Sequence, residues 1–150
     1  MQSREIKERN EKVKQWLWQY RDAKKEVRRL EEELQELIEL QESCGAIQYS
    51  DMPKGGRSQS DLSDEMSRRE ELWRKISKAR YKRIVEFKKI KTVIDRLPNT
   101  DERAVMSYRY LESYDWGVVS VKCNMELRKA YRTHGKALMH IYNFLPDDME

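Results

Sequence analysis

The sequence is short of the residues that break or cross-link a chain, with 5 glycines, 3 prolines and 2 cysteines among 150 residues. Because its apolar residues recur with a regular period, it predicts a mostly helical protein and excludes a disordered one. Apolar residues make up only 38% of the chain, which argues against a single ball-shaped core. Cys44 and Cys123 cannot form a disulfide framework, and they indicate a reducing cytoplasm.

Signatures of membrane insertion and of catalysis are also missing. No apolar run approaches the roughly 18 residues of a membrane span, and the N-terminus, MQSREIKERNEK, is too charged for a secretion signal. His134 and His140 have no ligand spacing with the cysteines, and no nucleotide-binding fingerprint or nucleophile–base pair occurs. We therefore expect a cytoplasmic, all-α protein with no enzymatic activity, no metal and no cofactor.

A heptad pattern runs through residues 3–44. With cysteine counted as apolar, ten of the twelve residues at its two core positions are apolar, which predicts a coiled-coil helix over residues 1–44. Such a helix is about 60 Å long at 1.5 Å per residue, so another helix must cover its apolar stripe. The core positions are Ile6, Arg9, Val13, Trp16, Tyr20, Ala23, Val27, Leu30, Leu34, Leu37, Gln41 and Cys44.

Residues 45–60 predict a linker loop, because they contain Gly45, Pro53 and the pair Gly55–Gly56. A second long helix is expected over residues 61–97. It would fold back on the first as a hairpin, pair with a second copy of the chain, or do both. Its predicted apolar stripe is Leu62, Met66, Trp73, Ile76, Ile84, Phe87, Ile90, Ile94 and Leu97. The tryptophans are interpreted as packing anchors, namely Trp16, Trp18, Trp73 and Trp116.

The net charge of +4 is unevenly distributed. Residues 45–100 carry 14 basic and 8 acidic groups, whereas residues 1–44 and 101–150 each have one more acid than base. Within residues 68–91 there are 11 basic and 3 acidic side chains. This stretch predicts either a solvated helix face or a stripe that follows phosphates.

Residues 98–145 divide into three helical pieces, and residues 146–150 form an acidic tail. Thr100 is expected to cap the first piece and Asp115 the second, since both side chains can accept from free backbone N–H groups. Asn124 tolerates the left-handed backbone of a tight turn, and a third helix follows from about Glu126 to Phe144. This order of elements is the layout of a helix-turn-helix. The inner side of the first piece is predicted as Ala104, Val105, Tyr108 and Leu111.

The third helix separates its cations from its apolar residues. At 100° per residue the cations lie at about 160–260° from Ala130, and the apolar stripe lies between about −20° and 80°. Any surface helix turns charge outward, but here Glu126 is its one acid before the tail. We predict DNA contacts by Arg128, Lys129, Arg132 and Lys136, with phosphate contacts from Lys122 and Arg103. The stripe, predicted to be buried, is Leu127, Ala130, His134, Ala137, Leu138 and Ile141.

From Asp95 onward the chain resembles the fourth conserved region of bacterial sigma factors. The similarity lies in DERAVMSYRYLE, in DWGVV at 115–119 and in AYRTHGKAL at 130–138. With the coiled coil and the segment YSDMPKGGRSQSDLSD, the chain is also similar to the ArpU- and RinA-like phage regulators. That resemblance implies binding to promoter DNA and activation of late phage genes in the bacterial cytoplasm. In the first stretch the matching residues are Glu102, Arg103, Val105, Arg109 and Tyr110.

The leading hypothesis is a sequence-specific phage transcriptional regulator that binds double-stranded DNA. We expect a homodimer or higher homo-oligomer through residues 3–44 and 61–97. One alternative is a small-terminase-like packaging subunit, which would form rings of many copies. Another is a protein-interaction module in which Val118 and Val121 contact another protein, such as RNA polymerase or a second subunit. Gly135 costs about 1 kcal/mol relative to alanine inside a helix, so it indicates close approach to a phosphate or a neighbouring helix.

Overall fold

The computed structural model describes residues 2–48 and 59–145 and, in those residues, is all-α with no strand, which confirms the predicted fold class. No helix in this part of the chain is both long and apolar enough to span a bilayer. Residues 49–58 of the predicted linker and the predicted tail at 146–150 lie outside the described residues. The elements are α1 (Gln2–Leu17), α2 (Gln19–Gln48), α3 (Gln59–Asp95), α4 (Thr100–Met106), a π-helix (Ser107–Leu111), α5 (Trp116–Lys122) and α6 (Leu127–Phe144).

The long helices differ from the prediction at their ends and at one internal position. The first is interrupted at Trp18, although Trp18 N still donates to Lys14 O at 2.9 Å, as in a continuous helix. α2 continues through Gly45 to Gln48, because one glycine weakens a helix by only about 1 kcal/mol and does not end it. α3 ends at Asp95, two residues earlier than predicted.

Two compact units make up the chain. The terminal unit comprises Met1–Ala23 and Arg83–Glu150, and the hairpin unit comprises Lys24–Lys82. The predicted DNA-binding domain, residues 98–145, therefore shares a unit with α1 and the end of α3.

The terminal unit has one core to which α1, α3, α4, the π-helix and α6 all contribute. α1 packs along α6, so the start of the predicted coiled coil is covered by the helix predicted to bind DNA. Ile6, at the first heptad core position, lies outside this core and is exposed. The buried residues are Val13, Trp16, Leu17, Ile90, Val93, Ile94, Leu97, Met106, Tyr110, Leu111, Ala137, Leu138, Ile141 and Leu145.

The π-helix, which directly follows α4, changes which of its residues face the core. Glu112 N donates to Ser107 O at 3.2 Å, a bond five residues long where an α-helix has four. Because the extra residue rotates the end of this segment, Tyr110 and Leu111 are both buried. The predicted inner side therefore missed Tyr110 and placed Tyr108, which is only partly buried, too far inward.

The hairpin unit is held by a single seam between α2 and α3. Leu30 and Leu34 of α2 pack against Leu72 and Ile76 of α3. Two polar contacts set an antiparallel register, since Arg80 Nη2 donates to Glu31 Oε1 at 2.8 Å and Arg69 Nε donates to Gln41 Oε1.

The predicted stripe of α3 is only partly buried. Ile76, Ile90, Ile94 and Leu97 are covered by the chain. The prediction was wrong for the other five residues, because the chain covers one side of α3 and these residues lie on its flank. The exposed members are Leu62, Met66, Trp73, Ile84 and Phe87, so Trp73 is not a packing anchor within the chain.

Candidate nucleic-acid interface

α5 and α6 are joined by a tight turn that side-chain hydrogen bonds hold at both ends. Asp115 is the N-cap of α5, and its carboxylate accepts from Val118 N at 2.9 Å. After α5, Ser120 Oγ donates to Met125 O at 2.6 Å, and Asn124 adopts φ 52°. Asparagine takes up this left-handed backbone with little strain. The predicted cap at Asp115 and the predicted left-handed turn at Asn124 are confirmed. α5, this turn and α6 follow one another in the order that the helix-turn-helix prediction requires.

The inner side of α6 is anchored in the core of the terminal unit. Its buried stripe lies close to the predicted one, but it includes Thr133 and excludes Leu127, which is exposed. Leu127 is the first residue of α6 and lies beyond the edge of the core, so its angular position does not decide its burial. The prediction of His134 as a packed histidine is confirmed. The buried residues are Ala130, Thr133, His134, Ala137, Leu138 and Ile141.

The opposite side of α6 carries the four predicted DNA-contacting cations, Arg128, Lys129, Arg132 and Lys136, which we call the cationic face. All four side chains are exposed. Among the described residues, only Lys129 of this set has an ion pair, with Asp101 at 3.5 Å. The other three therefore keep their donors available for a ligand.

A groove of about 260 Å³ runs between the cationic face and the start of α4. Asp101 lies on its α4 side, so the groove carries one exposed acid opposite several cations. An incoming phosphate would compete with Asp101 for Lys129, whereas Arg132 and Lys136 have no such competitor among the described residues. The lining residues are Asn99, Asp101, Glu102, Lys129, Arg132, Thr133 and Lys136.

The two residues predicted to add phosphate contacts are placed differently. Lys122 is exposed at the end of α5, beside the turn. Arg103 is partly buried, and its guanidinium donates to Leu97 O at 2.6 Å and to Thr100 Oγ at 3.1 Å. Arg103 thus ties α4 to the end of α3, which leaves it fewer donors for a phosphate. Thr100 was wrongly predicted as the N-cap of α4, since Asn99 accepts from the backbone there.

Trp18 and Trp116, which were predicted as packing anchors, belong to a cluster of aromatic rings that the sequence did not predict. The ring centres of Trp18 and Tyr110 are 4.6 Å apart, and those of Trp116 and His134 are 4.7 Å apart. The Arg109 guanidinium lies 5.0 Å from the ring centres of both tryptophans. Cation–π contacts of this kind favour a fixed arrangement of the rings. The cluster joins the start of α5 to the interruption between α1 and α2, and no periodic signal marks it.

Burial keeps the two titratable rings of the cluster, those of His134 and Tyr110, neutral. It lowers the pKa of His134 from 6.5 to about 3, and the charges of Lys14 and Arg109 act in the same direction. Burial also raises the pKa of Tyr110 well above its usual value. Tyr110 Oη and His134 Nε2 are 2.6 Å apart, so the neutral phenol can donate to an unprotonated imidazole nitrogen. This bond joins the π-helix to the buried side of α6.

The residues that carry the sigma-like resemblance at α4 face inward. Glu102 is buried, and its Oε2 lies 2.9 Å from His140 Nδ1. Arg103 and Arg109 make the internal contacts described above, and Val105 and Tyr110 are buried. Glu102 and Tyr110 contact α6 directly, and the two arginines are partly buried with bonds inside the terminal unit. These five residues therefore do not add to the exposed cationic face.

The basic stretch of α3, residues 68–91, is mostly exposed, as either reading of it requires. Several of its cations are paired, such as Arg80 with Glu31 at 2.8 Å and Lys75 with Glu71 at 3.6 Å. These pairs reduce the charge available to a polyanion. The stretch is therefore partly neutralised by its own chain, and more so than the cationic face, where Lys129 has the one ion pair among the described residues.

Metal-binding and thiol chemistry have little support in the described residues. No three of their histidine, cysteine, aspartate and glutamate side chains come together closely enough to hold a metal ion. Cys123 is half-buried, and burial raises the pKa of its thiol, which disfavours the reactive thiolate. The side chain of Cys44 lies outside the described residues.

No protein-family model, curated protein or solved structure matches this chain. Its function is therefore inferred from the geometry of α5, the turn and α6.

Proposed function

We propose that this protein is a sequence-specific DNA-binding regulator of transcription, with α6 lying in the major groove. The observation that carries the proposal is the cationic face, which is exposed and held outward by the buried side of α6. A helix presented in this way can neutralise phosphates and donate to base edges. The resemblance to sigma factors and to phage regulators favours the same function, in the control of late phage genes.

Within the proposal, the cations have different roles. Arg128 and Arg132 lie one turn apart in the N-terminal half of α6, the part of a recognition helix that reaches base edges. We assign them contacts to guanine, whose two major-groove acceptors match an arginine fork. Lys129 and Lys136 lie along the groove beside α4 and are assigned to phosphates. Lys122, at the end of α5, would contact the adjoining backbone.

Gly135 supports the proposal independently of charge. A Cβ added there would meet no atom within 4 Å, so no neighbouring helix of the chain requires glycine. Glycine inside a helix costs about 1 kcal/mol relative to alanine. At about 140° from Ala130, Gly135 lies beside Arg128 and Arg132. We infer that it lets the DNA backbone approach the helix closely.

Selection of bound sequences from random double-stranded DNA tests this function, and the selected site can then be titrated by fluorescence anisotropy. The double variant Arg128→Ala/Arg132→Ala should bind at least about 10-fold more weakly, because one bidentate base contact is worth about 1–3 kcal/mol. The slope of log affinity against log salt should change little, because both arginines are assigned to bases and the phosphate contacts of the lysines remain. Since both side chains are exposed, thermal unfolding should not change.

A matched control removes two exposed cations of α3, Arg74→Ala/Lys78→Ala. Its affinity for the selected site should stay within about 3-fold of the unaltered protein's, allowing only a loss of long-range attraction. Equal losses in both double variants would assign binding to general charge and contradict recognition by α6. Failure to enrich any sequence would contradict the proposal as well.

A protein-interaction module is the second candidate, and one observation favours it. Val121 is 79% exposed and Val118 38% exposed on α5, next to the turn. Together they offer a small apolar patch that DNA does not need. If Val118→Ser/Val121→Ser leaves DNA affinity unchanged but lowers transcription with purified RNA polymerase, the patch contacts protein within the proposed regulator. If no DNA binds at all, this candidate replaces the first.

A further inference from the structure

The hairpin unit carries an apolar surface that the described residues of the chain leave exposed. Leu62, Met66 and Trp73 of α3 are 45%, 64% and 47% exposed, and we call these three residues the α3 strip. At 100° per residue they lie within about 40° of one another. Leu72 and Ile76, which α2 covers, lie about 60–100° away from the middle of the strip. α3 therefore has one apolar side that is buried and a second that is not.

The α3 strip is more than a scatter of surface residues. Its members span about 16 Å of helix at 1.5 Å per residue, and one of them is tryptophan. Single exposed apolar residues are common, whereas aligned ones mark interaction surfaces. The Arg80 guanidinium, 6.0 Å from the centre of the Trp73 ring, extends the surface toward the middle of α3.

The core of the hairpin unit is thin without a further layer. Its buried cluster has four residues, Leu30, Leu34, Leu72 and Ile76, in one seam between two helices. Two-helix hairpins of this kind commonly pair into four-helix bundles, in which a second apolar surface is buried between the hairpins. The α3 strip lies where such a second surface is needed.

The distribution of charge indicates which molecule would cover the α3 strip. Residues 31–42 of α2 contain 6 glutamates and no basic residue, whereas residues 68–82 of α3 contain 7 basic and 2 acidic residues. The bonds of Arg80 to Glu31 and of Arg69 to Gln41 place these two blocks side by side. The hairpin unit therefore has an acidic edge along α2 and a basic edge along α3, and each edge complements the other edge of an identical hairpin.

We propose that the α3 strip binds the hairpin unit of a second copy of this chain, so that two copies form a four-helix bundle. A 180° rotation about an axis parallel to the helices sets α2 of each copy against α3 of the other. This arrangement buries both strips and brings acidic edges onto basic ones. A rotation about the perpendicular axis across the hairpin would oppose α2 to α2, and like charges would repel.

The inference narrows the homo-oligomer expected through residues 3–44 and 61–97 to one face of α3, and it does not depend on DNA binding. A particle with two copies carries two α6 helices. It could therefore occupy paired half-sites, as dimeric helix-turn-helix proteins do.

Sedimentation velocity of the full-length protein over a range of concentrations tests the arrangement. The expected mass is twice the 18.2 kDa of one chain. Met66→Gln/Trp73→Gln should give the mass of one chain at the same concentration. Its far-UV circular dichroism should be unchanged, because both side chains are exposed within the chain and glutamine favours helix. Tyr81→Gln is the matched control, since Tyr81 is 70% exposed but lies about 80° from the strip, and it should stay at the dimer mass.

Three results would overturn this inference: one-chain mass for the unaltered protein, dimer mass for the double variant, or a mass of eight or more copies, which a packaging ring would give. Arg128→Ala/Arg132→Ala should remain dimeric. If the masses behave as expected while no DNA sequence is enriched, the proposed function fails and the assembly stands.

Discussion

The two units differ in how many apolar residues of their helices are buried together in a core. The buried cluster of the terminal unit has fourteen residues, whereas the buried cluster of the hairpin unit has four in one seam. α2 and α3 contribute to both units with similar spacing of apolar residues. The difference arises from how many other elements surround them, since α1, α4, the π-helix and α6 belong to the terminal unit alone. Periodicity therefore indicates which side of a helix is apolar, but not how much of it is covered.

Polar interactions differ between the units in the same way. In the terminal unit Tyr110 and His134 share a buried bond of 2.6 Å. In the hairpin unit the ion pairs lie at the surface, as between Arg29 and Glu26 at 2.7 Å. Exposed pairs contribute at most about 1 kcal/mol, whereas removal of one partner from a buried bond costs about 1–3 kcal/mol. Substitutions in the terminal unit should therefore have the larger effects.

The largest expected difference compares two isoleucines that are both fully buried, Ile94 in the terminal unit and Ile76 in the hairpin unit. Ile94→Ala should lower the free energy of unfolding by about 4 kcal/mol, and Ile76→Ala by about 2 kcal/mol, because a two-helix seam can close over a cavity. Hydrogen exchange should place each loss in the unit that carries the substitution. Equal losses would show that the hairpin is as rigidly packed as the terminal core.

The next effect concerns pH. The pKa of His134 is lowered from 6.5 to about 3 in the folded protein, so the unfolded chain binds the extra proton between these values. Stability from the neutral ring is complete above pH 6.5 and is lost as the pH falls toward 3, by up to about 1.4 kcal/mol per pH unit. Urea unfolding at pH 7 and pH 5 measures this loss.

His134→Gln should remove most of that slope, since glutamine does not titrate. The hairpin unit offers a comparison, because it contains no histidine. In this unit the pKa of Glu26 is lowered beside Arg29. Protonation of that carboxylate can therefore change stability only below about pH 4.5. Amide protection of hairpin residues should therefore hold between pH 6.5 and 5. An unchanged slope in His134→Gln would contradict the assignment.

The smallest expected effect on stability has the opposite sign. Gly135→Ala should raise the free energy of unfolding by about 0.5–1 kcal/mol, because alanine favours helix and its Cβ meets no atom within 4 Å. The same change should weaken binding to the selected DNA, since the methyl group would lie where the backbone of the ligand approaches. Asn143→Ala, at an exposed position later in α6, should leave affinity unchanged. A variant at Gly135 that is more stable and binds DNA equally well would remove close approach as the reason for glycine.

Local features were predictable because they depend on neighbouring residues. The cap at Asp115, the left-handed turn at Asn124 and the extent of α6 each follow from a few side chains and their own backbone. The separation of the four cations from the buried stripe follows from helical spacing in the same way. Thr100 shows the limit of such reasoning, since Asn99 next to it is an equally good cap and took the role.

Other features were decided by distant parts of the chain. Trp18 meets Tyr110 only because α1 packs against the terminal core, and Tyr110 is buried only because the π-helix shifts the phase of its segment. Trp73 was predicted to be buried and is exposed, because residues 2–48 and 59–145 place no helix on that side of α3.

Residue order alone predicts that the chain is helical, where α5, the turn and α6 lie, and which sides of its helices are apolar or charged. These properties depend on residues that are close along the chain, so their physical causes can be read locally. Which apolar sides are covered, and which cations have no partner among the described residues, becomes visible only in the folded chain. Burial and pairing depend on residues that are far apart in sequence, and no local pattern contains them.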